Sequence, residues 1–67
     1  MPYYWIELKS KKNPKQWEGI MTQEIDKKRA YEVLNDMAEN FGHRIDEDDE
    51  IIYVIKQVTK EEYLKHF

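Results

Sequence analysis

Five consecutive acids, Asp46-Glu47-Asp48-Asp49-Glu50, are the densest group of side chains in this chain that can do chemistry. Carboxylates at alternate positions are what a hard cation such as calcium takes as ligands. The spacing fails the test of a calcium-binding EF-hand loop. Counted from Asp46, Ile51 stands at the position that needs glycine and Gln57 at the position that needs a bidentate Glu. The run therefore reads as a solvated acidic loop, and no metal is expected. His43 lies close by and is able to titrate or ligate, but a lone imidazole just after a helix-ending glycine reads as a capping or solvent-facing group. His66 offers still less.

Nucleophilic chemistry has little to start from. There is no Cys, and the one serine, Ser10, sits among lysines with no oriented base in view. Two glycines, Gly19 and Gly42, cannot build a phosphate-cradling loop. No catalytic set and no cofactor are expected, so the chain does not read as an enzyme. Lys9, Lys11, Lys12 and Lys15 are a second candidate group: basic side chains beside strand aromatics can hold phosphates while the rings stack bases.

The elements that must position these groups follow from hydrophobic periodicity. Tyr3 to Lys9 alternates, with Tyr4, Ile6 and Leu8 on one side and Tyr3, Trp5, Glu7 and Lys9 on the other. Asn13-Pro14 breaks the chain, and Gln16 to Glu24 reads as a second strand of a hairpin, in which Gly19 marks a bulge or a close backbone approach. Asp26 is the expected N-cap of a helix over Lys27 to Asn40. Ala30, Val33, Leu34, Met37, Ala38 and Phe41 recur at helical spacing, and Gly42 stands where a left-handed cap is wanted. Ile51 to Val58 is rich in β-branched residues on both alternation sets, as in a strand covered on both faces. Thr59-Lys60-Glu61-Glu62 fits a capping box for a short C-terminal helix carrying Tyr63, Leu64 and Phe67.

The expected fold is α+β, in the order ββαβα. It comprises a small three-stranded sheet, preferred order 2-1-3, one long helix on one face and a short C-terminal helix. The 67 residues make a single domain, 1–67, too small for a deep pocket. The absence of cysteine, of a leader-like N-terminus and of a long apolar run leads to the expectation of a cytoplasmic protein without membrane contact. Aromatic content argues against disorder.

The net charge of −3 divides unevenly: residues 1–30 carry +3 and residues 31–67 carry −6. The 2-1-3 topology brings the acid run to the same end of the sheet as the lysine loop. Mutual neutralisation is one expectation; an acidic strip that imitates a nucleic acid is the other. The long helix can cover one face only, expected to hold Tyr4, Ile6, Leu8, Ile20, Ile52 and Val54. Tyr3, Trp5, Tyr53 and Ile55, with Ile51 beside them, are then expected on the other face, partly beneath the C-terminal helix. So much apolar surface calls for a partner. The reading is a small acidic protein-binding module, a regulator or inhibitor of a larger protein, or a homodimer. Tyr3, Trp5, Tyr53 and Ile55 are its anchors, and Asp46, Asp48, Asp49 and Glu50 supply steering charge. The alternative is a single-stranded nucleic-acid-binding domain that uses Lys9, Lys11, Lys12 and Lys15. The acids nearby and Glu7, Glu18 and Glu24 oppose phosphate binding.

Overall fold

Residues 2–65 are described in a computed structural model of the chain; His66 and Phe67 lie outside the described residues. The elements are β1 (Tyr3–Ser10), β2 (Trp17–Met21), α1 (Lys27–Gly42), β3 (Ile51–Val58) and α2 (Lys60–Lys65). The sheet order is β2-β1-β3, with β1 antiparallel to both neighbours. This is the ββαβα arrangement that the periodicity predicts, and it gives β1 a neighbour on each side.

The alternation of β1 decides where the core sits. Tyr4, Ile6 and Leu8 are buried against Ala30, Leu34 and Phe41 of α1, with Val33, Met37, Ala38, Ile51 and Ile55 packed around them. Phe41 is the largest fully buried side chain, and full burial of such a group contributes about 1.5–3 kcal/mol. Asp26 caps α1 as expected, its carboxylate accepting from the Arg29 N–H at 2.7 Å. Such a bond is worth about 1 kcal/mol. At the edge of this core Thr22 closes the β1–β2 pairing: its hydroxyl accepts from the Tyr4 N–H at 3.0 Å, and its own N–H donates to the Tyr4 carbonyl at 2.8 Å.

Three local expectations are resolved differently from their simplest reading. Gly42 is not a left-handed cap; no residue in the described backbone has positive φ. The helix runs through Gly42 and stops at His43, whose N–H reaches the Asn40 carbonyl at 3.3 Å, while the Arg44 N–H reaches Phe41 at 3.0 Å. Tightened turns of this kind satisfy end carbonyls without a left-handed residue. Gly19 sits in unbroken register between Trp17 and Met21, so it marks a close approach and not a bulge.

The third is the parity of β3. The structure pairs Leu8 with Tyr53, Ile6 with Ile55 and Ser10 with Ile51, so Ile51, Tyr53 and Ile55 lie on the α1 side and Ile52 and Val54 on the open side. This reverses the expected faces, including those of the proposed anchors Tyr53 and Ile55. The physical reason lies in Lys56, which belongs to the same alternation set as Ile52 and Val54 and has to face solvent. Directly opposed residues share a face, so one pairing fixes the whole strand.

α2 begins where Thr59 Oγ1 accepts from the Glu62 N–H at 3.1 Å. The helix folds back on the open face, where Tyr63 stacks on Tyr3 with ring centroids 4.3 Å apart. Among the described residues no helix is long and apolar enough to cross a membrane.

Because a Cβ on Gly42 would meet nothing within 4 Å and the residue is helical, Gly42→Ala should stabilise the fold by about 0.4–1 kcal/mol in urea titration. A left-handed Gly42 would make the same substitution destabilising.

Candidate binding face

The open face can be written as rows across β2, β1 and β3. Trp17, Lys9 and Ile52 form one row; Gly19, Glu7 and Val54 the next; Met21, Trp5 and Lys56 the third; Tyr3 and Val58 close the series. α2 covers only that last end. Val58 is 6% exposed, whereas Trp17, Ile52 and Val54 remain 56%, 48% and 43% exposed.

Trp5 is held by a missing side chain. A Cβ on Gly19 would fall 2.7 Å from two indole carbons of Trp5 and 3.2 Å from Trp17. The indole of Trp5 therefore crosses β2 where the glycine leaves room, and Trp17 borders the same gap. A shallow depression of about 150 Å³ lies beside it, lined by Trp5, Met21, Lys56, Val58 and Glu62.

Of the residues nominated from sequence, Tyr3 and Trp5 are on this face, with Tyr3 already stacked on Tyr63. Tyr53 and Ile55 are on the opposite one. Trp17, Met21, Ile52 and Val54 complete the face and were not among the nominated anchors. The alternation of β2 carried the signal for Trp17 and Met21, and Lys56 carried it for Ile52 and Val54.

The acids and lysines meet each other at one end of the sheet. Lys12 pairs with Asp48, and Lys11 with Glu50 at 3.3 Å. Exposed pairs of this kind are worth about 0–1 kcal/mol each. Asp49 is bound more fully. Its Oδ2 accepts from the hydroxyl of Ser10, and its Oδ1 accepts from the N–H groups of Lys12 at 3.0 Å and Glu50 at 2.7 Å. Ser10 is itself fully buried and accepts from the Asn13 N–H at 3.0 Å. This clasp ties the β1–β2 loop to the entrance of β3. The Ser10 hydroxyl is the main reason that the Asp49 carboxyl lies below its ordinary pKa; partial burial opposes it, and the two N–H groups and the Lys12 charge add to the lowering.

Asp46 contributes its backbone, its carbonyl accepting from the Asp49 N–H at 3.0 Å. Lys9 lies on the open face between Trp17 and Ile52. Lys15 is exposed in the loop, and neither Lys9 nor Lys15 makes an ion pair among the described residues. A separate tie joins the α1–β3 linker to β2: Arg44 pairs with Glu18, lies 5.3 Å from the Phe41 ring centroid, and its carbonyl accepts from Gln16 at 2.8 Å.

A concavity of about 500 Å³ is at the far end, lined by residues that include Tyr3, Glu24, Thr59 and Lys60. Thr59 is engaged as the cap of α2, and among the described residues the lining has no Ser, Cys or His to form a nucleophile–base pair. Among the described residues no three His, Asp or Glu side chains converge to hold a metal ion. No family model, curated protein or solved structure matches this chain.

Two tests follow from this geometry. A carboxyl whose folded pKa is depressed contributes stability that is present above its unfolded pKa, near 3.8, and is lost as pH falls through the folded value. The stability difference between wild type and Asp49→Asn should therefore be full at neutral pH and shrink through the acid range, as followed by denaturant titration at stepped pH. Gly19→Ala should displace the Trp5 ring, shift tryptophan emission and cost about 1–3 kcal/mol, the usual range for overpacking.

Proposed function

We propose that this chain is a small protein-binding module, a regulator or inhibitor of a larger protein, and that it docks through the open sheet face. One observation carries the reading: Trp17, Ile52 and Val54 stay exposed on a face where α2 covers only the opposite end. The face sets Trp5, Trp17, Met21, Ile52 and Val54 around the charges of Lys9, Glu7 and Lys56, and exposed aromatic and Met side chains of this kind are enriched at interface cores. Trp5 wedged over Gly19 supplies a side chain already fixed in place, so its ordering entropy is not lost on binding.

Charge adds less to this reading than the acid run promises. Asp48, Asp49 and Glu50 are engaged with Lys12, Ser10 and Lys11, which leaves Asp46 and Glu47 as the acids of the run whose carboxylates make no such bond among the described residues. Steering by the loop, or imitation of a nucleic acid, therefore rests on a reduced charge. The same pairs weaken the nucleic-acid alternative, because Lys11 and Lys12 already face carboxylates and phosphate binding would have to displace them.

Trp17 is the residue to remove. Tagged wild type should retain a protein from a lysate of its source, and Trp17→Ala should weaken that retention by at least about tenfold while circular dichroism stays unchanged, as for an interface hot spot. Retention that Trp17→Ala leaves intact would contradict the reading. So would retention of nucleic acid alone, released by salt and by neutralising Lys11 and Lys12.

A further inference from the structure

We propose that β3 pairs along its outer edge with β3 of a second copy of this chain, antiparallel and about a two-fold axis at Val54, joining two three-stranded sheets into one. The Lys11 N–H donates to the Glu50 carbonyl at 2.9 Å, which continues the ladder in which Ser10 faces Ile51. Bonded and non-bonded pairs alternate along such a ladder. Ile52, Val54, Lys56 and Val58 therefore turn their N–H and C=O groups toward β1, and Ile51, Tyr53, Ile55 and Gln57 turn theirs outward. Among the described residues no strand lies beyond them and no hydrogen bond occupies these outward groups.

Sheet edges are normally blunted by shortness, proline, a bulge or charge. The other edge, β2, has five residues with a glycine at its centre and Glu18 beside it. β3 has eight residues in unbroken register, no proline and one charged side chain, Lys56. What fits it is an extended strand, since only a strand offers matching donors and acceptors.

Self-complementarity selects a second copy. The outward set from Ile51 to Gln57 is centred on Val54, and a two-fold axis there pairs Val54 with itself. Tyr53 then faces Ile55, Ile52 faces Lys56, and Ile51 faces Gln57. No like charges meet, and two aromatic–β-branched pairs form, a favoured cross-strand combination. The axis keeps both α1 helices on the same side. There a groove of about 230 Å³ lies beside Ile55, lined also by Tyr4, Lys27, Tyr31 and Gln57. Tyr53 of a second copy, 57% exposed when alone, would lie at its border. Ile52 and Val54 belong both to the open face and to the junction, and Trp17, two strands away, tells the two proposals apart.

Sedimentation velocity across a concentration series tests it, with amide exchange on the same samples. The wild type should dimerise with rising concentration, and the Tyr53 and Ile55 N–H groups should gain protection as it does. Tyr53→Pro removes an outward donor without taking a bond from β1, so it should fold and be monomeric. If that variant does not fold, charge at the axis carries the test: Val54→Glu and Val54→Lys should each weaken pairing by at least about tenfold, and mixing them should restore it as a heterodimer. Trp17→Ala should dimerise like wild type. A wild type monomeric at every concentration, a dimer that survives Tyr53→Pro, or Glu and Lys variants that do not recombine would overturn the proposal. Edge protection that appears only with an added foreign protein would assign the edge to that partner instead.

Discussion

The register of β3 on β1 is the constraint on which the rest of this structure depends. A slip of one residue would exchange Ile52 and Val54 for Tyr53 and Ile55 on both faces and would drive Lys56 under α1. The clasp at Ser10 and Asp49 opposes that slip. It joins the last residue of β1 to the turn that starts β3, through a buried hydroxyl, a carboxylate and two backbone N–H groups. Ser10 occupies the fourth inward position of a strand whose other inward residues, Tyr4, Ile6 and Leu8, are apolar. A polar group at that depth has to find a partner, and Asp49 supplies it. The acid run is thus structural at its centre before it is anything else.

The consequence for energetics is a fold with one well-made layer and one unfinished one. Domains are stable by about 0.05–0.15 kcal/mol per residue, and a chain this short sits at the lower part of the total range. Its core is the contact of α1 with β1 and part of β3, anchored by Phe41, Ile6 and Leu8. The short α2 adds the Tyr3–Tyr63 stack, and among the described residues no element lies over Trp17 or Ile52. Exposed tryptophan contributes little to the isolated fold, and the proposed docking role rests on that exposure. Proposed docking by the face and proposed pairing by the edge use different physics. The first removes apolar side chains from water; the second satisfies backbone groups.

The order of elements, the N-cap at Asp26 and the central place of β1 were legible in the sequence because each rests on a local pattern. Alternation in Tyr3–Lys9, helical spacing from Ala30 to Phe41 and the polar break at Asn13-Pro14 all point to the same fold. The parity of β3 was not legible from hydrophobicity, since Ile51, Tyr53 and Ile55 compete with Ile52, Val54 and Val58 on equal terms. Lys56 was the discriminating residue. Gly42 misled for a related reason: glycine after a helical run suggests a left-handed cap, but Asn40 and Phe41 find their partners in a tightened turn at His43 and Arg44. The pairing of Lys11 and Lys12 with Glu50 and Asp48 could be anticipated from topology, whereas the deeper bond from Ser10 to Asp49 depended on knowing which way Ser10 points.

The register itself can be read directly by NMR, from the α-proton contacts that close antiparallel strands show at their non-hydrogen-bonded pairs. The structure predicts strong cross-peaks between the α-protons of Ile6 and Ile55 and between those of Leu8 and Tyr53. Cross-peaks from Ile6 to Val54 and from Leu8 to Ile52 would place β3 one residue out of step, and would contradict the assignment of both faces.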